Sequence, residues 1–104
     1  MNIQVNTDRN INGNHQLVNY VKDKVLGAFE RFGDLITRIE VYISDINGAK
    51  NFGNDKRIVL EARLQNMKPI AVAVETNNVH FGIKNSIAKM HRSVVAVKAK
   101  SLGY

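Results

Sequence analysis

The chain has 104 residues, 44% of them hydrophobic, which is enough for one domain with a modest core. It contains no Cys, which excludes a disulfide framework, a thiolate metal site and a thiol nucleophile. The formal net charge of +6 favours a polyanionic partner such as a nucleic acid.

The first third of the chain predicts a strand followed by a helix. Residues 2–7 alternate polar and apolar side chains, as a short strand does. Residues 8–14 are rich in Asn and Gly and predict a turn, with Asn14 as the cap of the next helix. Residues 15–32 carry apolar side chains at three- and four-residue spacing, which predicts a helix that ends before Gly33.

The middle of the chain predicts three more strands. Residues 36–46, 57–66 and 70–76 alternate in the same way, so each strand should bury one face. A long polar loop over 47–56, with Phe52 as its one anchor candidate, and a short turn over 66–69 separate them. These hairpins predict antiparallel pairing, whereas the helix after the first strand permits a parallel pair there.

The last predicted helix runs from Asn78 to about Lys100, after a cap at Asn77-Asn78. Its apolar stripe consists of Val79, Ile83, Ser86, Ile87, Met90, Val94 and Val97. The segment from Thr76 to Tyr104 contains five Lys or Arg and no Asp or Glu. Nearly all the net charge of the protein is therefore expected on this helix.

Together these elements predict an α+β fold of order β-α-β-β-β-α. Two amphipathic helices and four half-buried strands predict a two-layer sandwich, with both helices on one face of a four-stranded sheet. No repeat or linker interrupts the sequence, so residues 1–104 are expected to form a single domain.

A basic surface is predicted where the two helices lie side by side. Cations surround the side of the last helix opposite its stripe (Lys84, His91, Arg92 and Lys98) and flank the first helix (Lys24 and Arg31). Such a surface would bind phosphates by charge and recognise RNA shape more than sequence. Phe81 and Val95 also fall on this side. We expect Phe81 to pack on a neighbouring loop, although it could stack on a base.

Other functions find less support in the sequence. His80 and His91 are eleven residues apart on one helix, or about 16 Å, too far to share a metal ion. All three histidines, including His15, are expected at the surface or facing RNA. No nucleophile motif, carboxylate pair or phosphate-binding glycine loop is present, which predicts no enzyme activity, cofactor or small-molecule substrate.

A membrane partner is also disfavoured. The N-terminus lacks the basic start and long apolar core of a signal peptide, and no apolar run approaches the roughly 20 residues that span a bilayer. The apolar face of the last helix is needed to cover the sheet, so it is not free to lie in a membrane surface. We therefore expect a cytoplasmic protein.

The whole pattern resembles the ribosome hibernation-promoting factor family, also called ribosome-associated inhibitor A or sigma-54 modulation proteins. The likeness is strongest over residues 70–100, IAVAVETNNVHFGIKNSIAKMHRSVVAVKAK. Basic residues at family positions are Lys24, Lys89, Arg92, Lys98 and Lys100, whereas Arg31 and Lys84 are nominated from the helical wheel alone. The chain has Asn78–Gly82 where the family usually has an acidic-Met-Tyr-Ala-Ala run.

The resemblance implies a fold similar to double-stranded RNA-binding domains and a ribosomal partner. It implies binding to the small subunit and its RNA, in the groove between head and body, which blocks messenger and transfer RNA sites during stress. It also implies a short form without the second domain that pairs ribosomes, and we expect the free protein to be monomeric. Two alternatives stay open: a general double-stranded RNA-binding module, and a homodimeric protein-interaction domain that uses a strand edge or the Phe81 and Val95 patch.

Overall fold

The computed structural model describes residues 1–8, 15–46 and 55–101. In chain order its elements are β1 (Asn2–Thr7), α1 (His15–Phe29), a 3₁₀ turn (Glu30–Leu35), β2 (Ile36–Asp45), β3 (Lys56–Leu64), β4 (Ile70–Thr76) and α2 (Val79–Ser101). This confirms the predicted β-α-β-β-β-α order. The predicted cap at Asn14, and Gly48, Phe52 and Gly53 of the predicted 47–56 loop, lie outside the described residues.

The four strands form one sheet in the order β1-β2-β3-β4. β1 pairs with β2 in parallel, because α1 carries the chain back across the sheet between them. The other two pairs are antiparallel, and Val41, Leu60 and Val72 lie opposite one another across β2, β3 and β4. Because side chains alternate along each strand, this register places the apolar residues of neighbouring strands on one face.

Both helices pack on that apolar face. α1 contributes Val21, Val25 and Phe29 to the core at four-residue spacing, all 0% exposed. α2 contributes Ile83, Met90 and Val94, also 0% exposed. Burying each such side chain is worth roughly 1.5–3 kcal/mol relative to leaving it in water, so the two stripes hold the helix layer on the sheet.

The start of α2 is fixed by local hydrogen bonds. The Asn78 side-chain oxygen accepts a hydrogen bond from the Phe81 backbone N–H at 3.0 Å, which confirms Asn78 as the helix cap. The Thr76 hydroxyl donates to the Asn78 carbonyl and accepts from its N–H, both at 3.1 Å. The turn between β4 and α2 is therefore held at both of its ends.

The end of α1 differs from the sequence prediction. The α-helix stops at Phe29 rather than Phe32, and a 3₁₀ turn follows to Leu35. Gly33 interrupts this turn with φ 59° and ψ −130°, a backbone conformation that costs other residues strain. The glycine that was predicted to end the helix thus turns the chain into β2, but the helix before it is three residues shorter.

The strand ends also differ by one or two residues. β3 ends at Leu64, two residues before the predicted limit, because the turn to β4 begins there. The Met67 N–H donates to the Leu64 carbonyl at 3.4 Å, and Asn66 takes the left-handed conformation with φ 62°. Asn tolerates that conformation better than most residues. The observed turn therefore begins at Gln65, one residue before the predicted turn over 66–69.

Candidate RNA-binding surface

The two helices lie side by side along a seam of aromatic and histidine rings. Tyr20 of α1 meets His80 of α2 edge-on, with the ring centroids 4.5 Å apart. Further along, Phe32 meets His91 at 5.4 Å. Phe29 at the end of α1 also meets His91, at 6.2 Å. Because the contacts advance from Tyr20–His80 to Phe29–His91, α1 and α2 run in the same direction.

Two of the predicted site residues lie at this seam. The Lys24 Nζ atom lies 5.6 Å from the Tyr20 ring centroid, and the Lys98 Nζ atom lies 5.9 Å from the Phe32 ring centroid. Cation–π contacts of exposed residues are worth about 0.5–1 kcal/mol, enough to bias these long side chains toward the seam. Cations from both helices therefore meet on one side of α2.

On the other side of α2, Lys89 faces the edge of the sheet. Its Nζ atom donates a hydrogen bond to the Ala73 carbonyl of β4 at 3.3 Å. A shallow groove of about 300 Å³ runs here between α2 and β4, and its lining includes Lys89, Arg92 and Glu75. The groove thus carries two cations and one carboxylate.

Between the seam and the groove, α2 presents an exposed line that we call the α2 ridge, formed by Phe81, Ala88, Arg92 and Val95. At 100° per residue these four positions fall within 60° of one another, opposite the buried stripe. Phe81 is 60% exposed and Val95 is 46% exposed. Lys84 and Lys100 are also exposed, Lys84 toward the seam and Lys100 toward the groove side by the same geometry.

Arg31 stands apart from the other nominated residues. It is exposed, but it lies in the 3₁₀ turn after α1 rather than on α1 itself. Its predicted alignment with Lys24 assumed that the α-helix continued to Phe32, and that assumption is wrong.

The prediction that His91 faces outward is wrong. His91 is partly buried against Phe29 and Phe32, with ring centroids 6.2 Å and 5.4 Å away. Its Nε2 atom is buried and has no hydrogen-bond partner among the described residues. His91 therefore belongs to the packing between α1 and α2. His80 keeps an exposed position while its ring packs on Tyr20.

On the opposite face of the sheet, basic side chains form ion pairs with acidic ones. Arg38 pairs with Glu40 at 2.8 Å, and Arg63 pairs with Glu61 at 3.2 Å. Tyr42 donates a hydrogen bond to Glu40, and this bond, with partial burial, raises the pKa of the Tyr42 hydroxyl. The two faces of the molecule thus differ: ion pairs line one, and α2 on the other carries Lys and Arg with no Asp or Glu.

The side chains of the described residues form no cluster that could bind a metal ion. Nor is any helix in that part of the chain long and apolar enough to cross a membrane.

Two features of this surface could not be found by sequence reasoning. The hydrogen bond from Lys89 to the β4 edge depends on how far α2 lies from the strand, which periodicity does not give. Phe81 is 60% exposed, which is more than the expected packing on a neighbouring loop would leave. Helical geometry gives the direction of a side chain but not what covers it.

Comparison with solved structures shows the same fold elsewhere. The crystal structure of the Thermus thermophilus Protein Y N-terminal domain aligns with a TM-score of 0.69 and 20% identity, over 90% of this chain and 96% of that one. A ribosomal subunit interface protein from Coxiella burnetii aligns with a TM-score of 0.74 and 19% identity, over 95% of this chain and 99% of that one. No curated protein sequence matches the chain.

A family model also matches nearly the whole chain. The model of the sigma 54 modulation protein / S30EA ribosomal protein family matches residues 4–101, which include most of β1, both helices and the whole α2 ridge. The chain therefore belongs to the sigma 54 modulation protein / S30EA ribosomal protein family, whose members associate with the ribosome.

Proposed function

We propose that this protein is a translation inhibitor of the hibernation type that binds the small ribosomal subunit and acts without chemistry. The domain would lie in the groove between the head and body of the subunit and exclude messenger and transfer RNA. The surface proposed to contact ribosomal RNA comprises Lys24, Arg31, Lys84, Lys89, Arg92, Lys98 and Lys100. A cytoplasmic location and a monomeric free protein are parts of the same proposal.

One observation carries this proposal: α2 exposes cations along both sides of its ridge, and the sequence has no Asp or Glu after Glu75. A helix face that only needs hydration normally mixes both signs, whereas a face that binds phosphates gains affinity from each cation. Membership of a ribosomal protein family supports ribosomal RNA as the source of those phosphates. The name of the Coxiella burnetii protein supports a position at the subunit interface.

The mechanism would be steric. Two helices packed on a four-stranded sheet form a rigid wedge, and the core side chains of both helices are fully buried. Such a domain loses little conformational entropy when it binds, so the affinity of its charged contacts is retained. Occupying the channel would then suffice to block initiation.

The experiment is cosedimentation of the protein with purified small subunits, with and without bound messenger RNA and initiator transfer RNA. Groove occupancy predicts that the protein pellets with free subunits and that the two ligands abolish pelleting. Pelleting that the ligands leave unchanged would contradict the groove position while keeping ribosome association. Free RNA duplexes that compete as well as subunits would favour the double-stranded RNA-binding alternative.

The homodimer alternative is tested by light scattering at micromolar concentration. β4 is one edge of the sheet, and the Lys89 side chain already occupies its Ala73 carbonyl. Edge-to-edge pairing would have to displace that side chain, so we expect the mass of a monomer. A dimer whose formation is insensitive to salt would contradict the proposal.

A further inference from the structure

The most exposed large apolar side chain among the described residues is Phe81, in the first turn of α2. The other phenylalanines that the structure describes are packed: Phe29 is fully buried, and Phe32 lies against His91 and Phe29. Tyr20 lies against His80. Within the described ranges, Phe81 takes part in no ring pair, although its side chain sits on the basic side of the helix.

We propose that Phe81 is a stacking platform for an unpaired RNA base at the N-terminal end of the α2 ridge. This inference rests on the function proposed above and extends it from phosphate binding to base contact. The ring is held in place, its surroundings are cationic, and the ridge suits RNA better than a protein helix.

The ring is held in place by its backbone. The Phe81 N–H donates to the Asn78 side chain at 3.0 Å, and the next residue, Gly82, sits directly on the sheet. A Cβ atom at Gly82 would lie 2.5 Å from both Ile58 Cδ1 and Thr76 Cγ2, so no other residue lets α2 approach so closely. The ring therefore projects from a turn that needs no reordering when a base arrives.

The surroundings of the ring suit a nucleic acid. Lys84 is one helical turn from Phe81 and therefore its neighbour on the helix surface, and Arg92 lies further along the same ridge. Proteins that bind single strands combine cations that follow the backbone with aromatic rings on which bases stack. A duplex hides its base faces inside the stack, so the ring can meet only an unpaired base.

A protein helix fits the ridge less well. Phe81 and Val95 are its two large apolar residues, and they are about 21 Å apart at 1.5 Å per residue. Ala88 and Arg92 lie between them, and the intervening positions Lys84 and Asn85 are polar. Two helices that pack along a seam need apolar residues at the first and fourth positions of each seven-residue repeat. The α2 ridge does not provide them.

The first test uses small ribosomal subunits and the variant Phe81→Ala. We expect binding about tenfold weaker, within the range for loss of one stacked base, with an unchanged salt slope because no charge is lost. Phe81→Tyr should bind like the wild type, and Val95→Ala, on the same ridge, should change affinity less than twofold. Alanine favours helices more than phenylalanine does, so the fold should survive.

The second test uses fluorescence, because the chain contains no Trp. In Phe81→Trp the single indole should be quenched by an unstructured single-stranded RNA and not by a duplex of the same length. In the control, Val95→Trp, quenching by the single strand should be weak. Equal quenching by single strand and duplex, or equal quenching in both variants, would overturn the proposal.

The two tests separate this inference from the proposed function. If wild-type protein pellets with subunits in a salt-sensitive way and Phe81→Ala pellets equally well, stacking is wrong while ribosome binding stands. If wild type does not pellet at low salt but Phe81→Trp is still quenched by single-stranded RNA, the ribosomal proposal fails while base stacking stands. Quenching that rises with protein concentration in the absence of RNA would instead indicate a contact between two copies of the chain, and would contradict base stacking.

Discussion

At the scale of single residues, Gly82 is the position where α2 touches the sheet. The Thr76 side chain that a new Cβ would meet cannot rotate freely, because its hydroxyl makes two hydrogen bonds to Asn78. The Ile58 methyl group at the same distance is the end of a flexible side chain and can move. The rigid threonine therefore decides the cost of any substitution here.

We predict that Gly82→Ala destabilises the protein by about 1–2 kcal/mol, because overpacking outweighs the better helix propensity of alanine. The matched control is Gly27→Ala in α1, where a Cβ meets nothing within 4 Å. That change should stabilise the protein by about 0.5–1 kcal/mol. Thermal unfolding of both variants measures the difference, and a stabilised Gly82→Ala would contradict the described packing.

A second residue-scale prediction concerns Asp55 and Lys56 at the start of β3. Their side chains form an ion pair at 2.6 Å, and its hydrogen bond lowers the pKa of Asp55. The pKa of the Asp55 carboxyl is lower in the folded state than in the unfolded state. The ion pair therefore stabilises the fold at pH values above the ordinary pKa of Asp. That effect is lost as the pH falls through the folded pKa.

The melting temperature of the wild type should therefore fall on acidification below about pH 4 more steeply than that of Asp55→Asn. The two proteins are compared by thermal unfolding over a pH series at constant ionic strength. Parallel curves would mean that this pair contributes nothing to the pH dependence.

At the scale of elements, the seam between α1 and α2 is where sequence reasoning was least complete. The helical wheel placed His91 off the apolar stripe, which is correct, and assigned it to solvent, which is not. A position beside the stripe is covered only if a neighbouring helix reaches it, and α1 does so through Phe29 and Phe32. The wheel has no information about that neighbour.

We predict that His91→Phe keeps or raises stability, by up to about 1 kcal/mol, because it removes a buried ring nitrogen without a partner. Its affinity for small subunits should stay within twofold of wild type, since the ring faces α1. The adjacent variant Arg92→Gln should bind subunits more weakly at unchanged stability. If His91→Phe lost binding while its fold stayed intact, His91 would face the RNA, and the prediction would be wrong.

Much of the element layout follows from the sequence because each strand and helix buries only one face. Period-two alternation gave the four strands, and the stripe of α2 gave Ile83, Met90 and Val94 as core residues, as found. The end of α1 was missed because the 3₁₀ turn has nearly the same periodicity as an α-helix over so few residues. The groove beside β4 was missed because it is a distance between two elements and not a pattern within one.

At the scale of the whole molecule, charge is separated between two faces. The open face of the sheet carries ion pairs such as Arg38–Glu40, whereas the helix side carries the excess cations. Sequence alone could assign the excess to the last helix because no acidic residue follows Glu75. It also predicted that Lys24 of α1 joins this surface if the helices lie side by side, but it could not give the contact of Lys24 with the Tyr20 ring.

This separation makes salt the most informative variable. Each phosphate contact adds about 0.7–0.9 to the slope of log affinity against log salt, and each lost contact should lower the slope by about one. For a surface with several such contacts we therefore expect a slope of several units. Variants that remove its cations should reduce that slope.

The most direct measurement is the affinity for small ribosomal subunits across a salt series, for wild type and for the double variant Lys89→Glu/Arg92→Glu. The matched control is Lys22→Glu/Lys68→Glu, which has the same net charge and changes exposed residues outside the α2 surface. We predict a steep slope for wild type and control, and weak binding with a slope lower by about two units for the double variant. Equal affinity of all three proteins, or wild-type binding that salt does not change, would contradict the account.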